Sequence, residues 1–312
     1  MFSSILNNPS TLPALHALSR AQSSMATSIQ RLSTGLRINS AADDPAGLIA
    51  ATHLSADLVS IQAKRQAEQM DYYKAMVADG SYSAVSDLLQ NAQSLLLQSQ
   101  AGPSAAIAGT DSLQSQMDDA FDGIDHIAAT MSMDGSRLLA GTTTLGSPGT
   151  PPSGDDPGTP STQITLKRTD TFTLGSYTDP NDPDHPTYTL ADLSSGGALS
   201  ISSPSANSSL TSDQRADLAQ KVLSTAITQV ASQRADVGSF MRYTVQSDTN
   251  VLDNEEENMS AALSQIQDAD YATEVSNYVR QQSLIQSNTA VLAYGIQQSR
   301  QTLSLLTPIT SQ

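Results

Sequence analysis

Both ends of this 312-residue chain repeat an apolar residue in alternating steps of three and four. Such steps place one apolar stripe along one helix face and predict a coiled-coil seam. In the N-terminal stretch, where Gln22 alone breaks the series, the apolar positions are Leu15, Leu18, Met25, Ile29, Leu32 and Leu36. In the C-terminal stretch, where Gln282, Thr289 and Ser299 interrupt the series, the apolar positions are Tyr271, Val275, Tyr278, Ile285, Leu292, Ile296, Leu303 and Leu306. A helix with one apolar stripe is marginal when it stands alone in water. We therefore expect the two stripes to pair and then to bind other copies of the chain.

The composition favours thin helical layers over a compact enzyme fold. The chain has no Trp, four Phe and nine Tyr, whereas large aromatic side chains normally supply much of the buried area of a compact core. The formal net charge of -16 opposes binding to nucleic acid, because that affinity comes mainly from Lys and Arg. The absence of cysteine excludes disulfides and thiolate metal sites.

Neither a membrane span nor a cleaved signal peptide is expected. The chain has no run of about 18 apolar residues, which is the length that a transmembrane helix needs. Its first residues, 1–7, lack the basic start and the apolar stretch of a secretory signal. A chain of this kind that leaves the cell would use another export route.

Two predicted joints separate the terminal stripes from the rest of the chain. Gly35 is costly inside a helix and should end the first one, while Asp44 followed by Pro45 is a favourable helix start. We therefore predict a joint at 37–44, a second long helix from 45 to about 100, and another joint at 267–270. The residues that we single out in the two joints are Arg37, Asn39, Asp43, Asp44, Pro45, Asp268 and Asp270.

The middle of the chain changes pattern several times. A shorter helix is predicted at about 111–131, followed by a turn at Asp134-Gly135 and an extended piece at 137–139. Residues 146–161 are a linker by composition, rich in Gly, Pro and Ser. Apolar residues alternate between 162 and 202, which predicts a small β insert of one or two hairpins. The candidate strands are 164–166, 171–174, 188–190 and 198–201. Helical spacing returns from about 211 to 266.

These patterns predict a mainly α protein, a long coiled-coil helical rod with discontinuous nested domains, paired N- and C-termini and a small β-hairpin insert. We expect a terminal coiled-coil domain of residues 1–43 with 270–312. An α-helical rod domain of 44–140 with 205–269 should follow, and a surface-exposed domain of 141–204 should combine the linker with the β insert.

Four segments of the chain resemble bacterial flagellins. Residues 29–47, which read IQRLSTGLRINSAADDPAG, resemble the N-terminal flagellin signature, and residues 266–277, IQDADYATEVSN, resemble the C-terminal one. The motif DGSRLL at 134–139 and the ending LSLL at 303–306 are also similar to that family. The resemblance covers roughly residues 1–140 and 210–312, and its two main signatures stand in the family's order at opposite ends.

The resemblance implies a structural subunit that polymerises into the helical flagellar filament for swimming motility. It implies export through the flagellar type III apparatus without a cleaved signal, an extracellular location, and partners that are the chain itself, an export chaperone, the cap protein and hook-associated proteins. Two alternatives remain open at this point. One is a hook–filament junction protein with the same terminal architecture, and the other is an intracellular signalling coiled coil.

The sequence offers no catalytic, metal or cofactor site. Its four histidines, His16, His53, His126 and His185, lie far apart and show no metal-ligand spacing. The acidic run at 179–185 lacks the Gly and the distal Glu of a calcium loop, so a solvated turn is the better interpretation. No nucleophile elbow, phosphate loop or dinucleotide fingerprint is present. We therefore expect no enzymatic activity, no cofactor and no metal.

Overall fold

The computed structural model describes residues 11–101, 107–139, 141, 143–146, 162–171, 173–178, 187–202 and 210–306. Six α-helices account for most of these residues, as the terminal stripes and helical spacing predict. They are α1 Thr11–Thr34, α2 Pro45–Ala101, α3 Ile107–Thr130, α4 Ser212–Ser239, α5 Gln246–Gln267 and α6 Tyr271–Leu306. A π-helical turn, Phe240–Val245, joins α4 to α5 without a break.

The chain divides into two compact units. Residues 1–62 and 254–312 form the first unit, and residues 63–253 form the second. The helices α2 and α5 run through both units. The boundaries between these units fall inside two helices, whereas the predicted domain boundaries fall at the joints and the linker. The three-domain division thus stays a prediction.

In the first unit, α1 and α6 pack against each other as two antiparallel helices. Gly35 ends α1 with a positive φ of 74°, and its N–H donates to the Arg31 carbonyl at 2.8 Å. This is the left-handed helix end for which glycine is favoured, because it has no Cβ to clash. The chain can therefore reverse direction beside the start of α6.

The second unit has one apolar core, to which α2, α3 and α4 contribute side chains at helical spacing. Fully buried examples are Tyr82, Val85 and Leu89 of α2 and Ile124 of α3. A short hairpin follows α3, in which β1 Ser132–Met133 pairs antiparallel with β2 Ser136–Arg137. Asp134 and Gly135 both have positive φ, as a two-residue hairpin turn requires. The turn predicted at Asp134-Gly135 is confirmed.

The described part of 141–204 belongs to the same core as the long helices. β3 Thr144–Leu145 pairs antiparallel with β4 Ile164–Thr165, and a 3₁₀ turn spans Leu190–Leu193. The leucines of this segment fill the core beneath it, and its buried apolar residues are Leu145, Leu166, Leu174, Tyr188, Leu190, Leu193 and Leu199. Most of the predicted linker, 147–161, lies outside the described residues.

Two of the predicted strands in this segment do not form. Residues 171 and 173–175 make a turn, and residues 198–201 are irregular. The physical reason lies in α3, whose polar side chains satisfy the backbone there in place of a neighbouring strand. Asp125 accepts from the Thr171 N–H at 2.8 Å, and Gln114 accepts from the Ile201 N–H at 2.8 Å and donates to the Leu193 carbonyl at 2.9 Å.

The predicted helix at 211–266 forms, with one irregularity. Its start is a capping box in which Thr211 and Gln214 satisfy each other's backbone N–H groups. Buried residues then recur in steps of three or four until Phe240, after which the next is Val245. The π turn absorbs this step of five by adding one residue to the helix, so the buried face keeps its direction.

Candidate assembly interface

The line along which α1 and α6 meet follows side chains that are buried or half-buried. In α1 these are Ala14, Leu18, Ala21, Met25, Ser28 and Leu32. In α6 they are Glu274, Tyr278, Gln281, Ile285, Asn288, Leu292, Gly295 and Ser299. Both sets advance in alternating steps of four and three, so the pair has the periodicity of a coiled coil.

This contact line differs from the predicted stripes at every second position, where it lies one residue earlier in the chain. Leu18, Met25 and Leu32 belong to both lines, as do Tyr278, Ile285 and Leu292. In contrast, Leu15 is 52% exposed and Ile29 is 47% exposed, because Ala14 and Ser28 occupy the contact beside them. Small residues at alternate positions let two helices approach closely, which leaves the larger neighbours outside.

The same correction applies to α6. Val275 and Ile296 are exposed, while Glu274 and Gly295 lie in the contact beside them. Tyr271, the first residue of α6, is also exposed. Leu36 is half-buried in the joint after α1, and the side chains of Leu303 and Leu306 lie outside the described residues. The assignment of all fourteen predicted positions to a seam between copies stays a prediction.

One buried ion pair crosses the two helices near the joints. Arg31 Nη1 donates to Glu274 Oε1 at 3.0 Å, and the Ser28 hydroxyl donates to Glu274 Oε2 at 2.9 Å. The Glu274 side chain is only 9% exposed. Burial raises the pKa of Glu274, but hydrogen bonds from Arg31, Ser28 and Asn277, with the charge of Arg31, outweigh it and hold that pKa below its ordinary value. The carboxylate is therefore ionised at neutral pH, and both of its oxygens accept hydrogen bonds from α1.

Sequence reasoning missed this site, although its residues carry a signal. Arg31 and Glu274 stand inside the two quoted signatures, in the last turn of α1 and the first turn of α6. Opposite charges at the matching ends of two helices that are expected to pair predict a salt bridge between them. A search for large apolar residues alone does not find such an ion pair.

The two joints bind each other through their backbones. Leu36 and Asp268 form an isolated antiparallel bridge, in which the Arg37 N–H donates to the Gln267 carbonyl at 2.6 Å and the Ala269 N–H donates to the Gly35 carbonyl at 2.8 Å. Residues from opposite ends of the sequence thus share one local structure. This bridge fixes where α6 begins relative to the end of α1.

Arg37 adds a second link between the joints. Its Nη2 donates to the carbonyls of Ile266 at 2.6 Å and Gln265 at 3.2 Å. These carbonyls belong to the last turn of α5, where no N–H of the helix can reach them, and a cation is favoured at that end. Asn39 closes the first joint locally, because its Nδ2 donates to the Thr34 hydroxyl at 3.0 Å and the Leu36 carbonyl at 3.2 Å.

Four acidic residues of the two joints accept hydrogen bonds that begin or stabilise turns, and two of them cap helices. Asp44 Oδ1 accepts from the Gly47 N–H at 2.9 Å, which confirms Asp44 as the N-cap before Pro45. Asp270 accepts from the Thr273 hydroxyl at 2.7 Å and the Ala272 N–H at 3.0 Å, so it caps α6 in the same way. The bonds from Thr273 hold the pKa of Asp270 below its ordinary value.

Asp43 and Asp268 also accept hydrogen bonds from nearby residues. Asp43 Oδ2 accepts from the Ser40 N–H at 2.9 Å and the Ser40 hydroxyl at 3.0 Å, and these bonds lower the pKa of Asp43. The Asp268 carboxylate accepts from the Ser264 hydroxyl at 2.5 Å. Pro45 is the first residue of α2, and the other residues singled out in the joints each belong to a turn, a cap or the bridge.

The described residues show neither a metal cluster nor a membrane helix. Within them, no three His, Asp or Glu side chains are grouped so that they could hold a metal ion. None of the helices in the described ranges combines the length and apolar character that crossing a bilayer requires. The geometry of this region is that of a helix–helix interface.

Comparison with known proteins agrees with this geometry. The bacterial flagellin N-terminal helical region matches residues 5–144, and the bacterial flagellin C-terminal helical region matches residues 220–306. Flagellin of Bacillus subtilis strain 168 is 28% identical over 97% of this chain and 99% of its own length. The flagellar filament 33 kDa core protein of Treponema phagedenis is also 28% identical, over 97% of this chain and 99% of its own.

A solved structure is also similar. The crystal structure of Bacillus cereus flagellin is 23% identical, covers 62% of this chain and 88% of its own, and has a TM-score of 0.37. The two family regions together span well over half of the sequence and contain both joints and both terminal helices. The chain belongs to the bacterial flagellin family.

Proposed function

We propose that the chain is the structural subunit of a bacterial flagellar filament and that its paired terminal helices bind neighbouring copies through apolar faces. Family membership carries the first part, and the exposed side chains of α1 and α6 support the second. Contacts between unlike surfaces that do not close into a ring extend into a helical filament. Two helices with apolar residues on several sides suit such contacts.

The observation that carries the proposal is the distribution of apolar residues on α6. Large apolar side chains are exposed on both sides of its contact with α1, and they are Val275, Val279, Leu284, Val291, Tyr294 and Ile296. Large apolar side chains that stand exposed on both flanks of a helix pair mark a surface that is buried against another molecule. Burial of each such side chain contributes about 1.5–3 kcal/mol, so several of them can hold one copy to the next.

The same exposed apolar residues support the proposal that the chain also binds partners other than its own copies. Before assembly, this apolar surface favours an export chaperone that covers it, and we propose that the cap and hook-associated proteins bind the chain at the filament tip and base. We also propose that the chain acts outside the cell after export without a cleaved signal, and that it has no catalytic role. We also propose that the chain divides into a terminal domain, a rod domain and the 141–204 segment.

Seeded polymerisation tests the function. Purified full-length chain is added to sheared fragments of filaments from the same host, and filament length is measured by electron microscopy. We expect the seeds to elongate above a critical concentration of the chain. Seeds that do not elongate, with a chain whose circular dichroism shows it to be helical, would favour a junction protein and contradict the proposal.

A further inference from the structure

A carboxyl group of the second unit is half-buried where α2 lies beside α5. Glu68 is the residue, and its Oε2 is covered by the fold yet accepts no hydrogen bond among the described residues. Three positions earlier on α2, Arg65 reaches Asp253 of α5 at 3.3 Å, which places this stretch of α2 next to α5. Buried polar atoms nearly always have a partner, and an ionised group without one is costly.

Two further carboxylates act on Glu68. Asp71 stands one helical turn later on α2, and Asp248 stands in the first turn of α5, directly after the π turn. Asp71 Oδ1 accepts from the Lys74 ammonium at 3.4 Å, and its Oδ2 accepts from the Gly146 N–H at 2.8 Å. Both donors need Asp71 as an acceptor. Glu68 Oε2, in contrast, can take a proton without the loss of a hydrogen bond.

The nearby cations have contacts with other groups. α5 itself contains neither Lys nor Arg, and Lys64, one turn before Glu68, is exposed. The remaining cations of α2, α4 and the π turn in the second unit that have printed side-chain contacts pair as follows: Arg65 with Asp253, Lys74 with Asp71, Arg234 with Asp79, and Arg242 with the ring of Tyr243.

Burial and the charges of Asp248 and Asp71 all raise the pKa of Glu68 above its ordinary value of 4.5. The folded chain therefore binds this proton more readily than the unfolded chain does. A carboxyl group with a raised folded pKa destabilises the fold while it is ionised, and this loss is removed as the pH falls through the folded pKa towards 4.5.

We propose that Glu68 is a proton-operated contact between α2 and α5. When it is ionised, it repels Asp248 and loosens the two helices at this level. When it is protonated, the repulsion ends and its O–H becomes a hydrogen-bond donor among acceptors, so the helices pack more firmly. Mild acid thus stabilises the second unit. The inference concerns the unassembled chain and does not depend on the proposed polymerisation.

Two substitutions test the inference, and a third serves as a control. Glu68→Gln imitates the protonated carboxyl, because its amide is neutral, similar in size and able to donate. Asp248→Asn removes the charge that acts from α5. Asp87→Asn also turns one carboxylate into an amide, but at an exposed position of α2. The first measurement is the melting temperature of the unassembled full-length chain between about pH 7.5 and about pH 4.5.

At about pH 7.5, Glu68→Gln should melt about 2 °C or more above the wild type, the size expected for the removal of one unfavourable charge from a chain of this length. This difference should shrink towards zero as the pH falls to about 4.5. Asp87→Asn should differ from the wild type by the same small amount at both ends of this range, because an exposed carboxylate is well solvated.

A second measurement follows Glu68 directly. The chain has five glutamates, so carbon-13 labelling of their side-chain carboxyl carbons gives few NMR signals, and the Glu68 signal is the one that Glu68→Gln removes. In the wild type it should titrate at a higher pH than the signal of the exposed Glu255. In Asp248→Asn its midpoint should move to lower pH. This measurement decides the question even if Glu68→Gln changes the fold, since it uses the wild type.

Titration of Glu68 together with Glu255, with no pH-dependent difference in melting between the wild type and Glu68→Gln, would overturn the inference. A raised midpoint that Asp248→Asn leaves unchanged would assign the effect to burial alone and would overturn the repulsion between α2 and α5. Neither result bears on whether the chain elongates filament seeds, so the proposed function is tested separately.

Discussion

Arg31 and Glu274 lie 243 positions apart in the sequence, and their side chains meet at 3.0 Å between α1 and α6. The Ser28 hydroxyl donates to the same carboxylate at 2.9 Å. Steps of seven residues from Ser28 and Glu274 place Ala21 beside Gln281, and then Ala14 beside Asn288, on the antiparallel helices. At each level a small side chain faces a longer polar one. A buried polar contact at a seam fixes the register of a helix pair at some loss of stability, so we infer that this ion pair sets how the chain's ends align.

Removal of the carboxylate should loosen the terminal pair. Glu274→Ala leaves Arg31 and Ser28 without their shared acceptor, and hydrogen bonds to a charged group contribute about 1.5–3 kcal/mol each. Amide hydrogen exchange of the unassembled chain should become faster along both α1 and α6. Glu255→Ala, at an exposed position of α5, is the matched control and should leave exchange in the pair unchanged. Equal exchange in the two variants would contradict the role of Glu274.

The same carboxylate predicts an acid dependence. The pKa of Glu274 in the folded chain lies below its ordinary value of 4.5, so the unfolded state binds a proton more readily. Its contribution to stability is complete above about pH 4.5 and is lost as the pH falls through the lower folded pKa. The difference in exchange between wild type and Glu274→Gln should therefore shrink as the pH is lowered below 4.5. A difference that stays constant down to full protonation would rule out this linkage.

The capping role of Asp44 can be tested locally. Asp44→Ala removes the acceptor of the Gly47 N–H, and loss of an N-cap costs about 0.5–2 kcal/mol. Faster amide exchange is expected in the first turns of α2, residues 45–51, with little change in the middle of that helix. Asp57→Ala, at an exposed position further along α2, should have no such effect. Identical exchange at 45–51 in both variants would remove Asp44 from the capping role.

Much of the helical architecture follows from the sequence. Heptad spacing predicts both terminal helices, Gly35 and the Asp44-Pro45 pair mark the first joint, and Asp134-Gly135 marks the hairpin turn. The contact line between α1 and α6 is harder to predict, because the periodicity is read from large apolar residues. Such residues stand on both sides of the line, while Ala14, Ala21 and Ser28 lie on it.

Tertiary contacts explain the other differences. Residues 171–201 alternate as strands do, but Gln114 and Asp125 of α3 satisfy their backbone groups. The local sequence of 171–201 does not indicate hydrogen-bond partners that lie more than 40 positions away.

The π turn between α4 and α5 should tolerate the loss of one residue. Deletion of Tyr243, which is 66% exposed, changes the step between Phe240 and Val245 from five to four and lets a regular α-helix keep the same buried face. The melting temperature should stay close to that of the wild type. Deletion of the exposed Thr228 from α4 turns every following buried residue by about 100° and should lower it strongly. Equal destabilisation by the two deletions would contradict the role assigned to the π turn.

One line on α1 and α6 joins the ends of a single chain, and we propose that the apolar side chains beside it join neighbouring copies. Ile29→Asp tests it most directly, because Ile29 is 47% exposed, whereas Ile285 is half-buried in the pair. The measurement combines amide exchange of the unassembled chain with elongation of filament seeds. Ile29→Asp should leave exchange in α1 and α6 unchanged and raise the critical concentration by about tenfold or more, whereas Ile285→Asp should loosen the pair before assembly. Normal elongation by Ile29→Asp, or loosening of its unassembled helices as severe as in Ile285→Asp, would contradict the account.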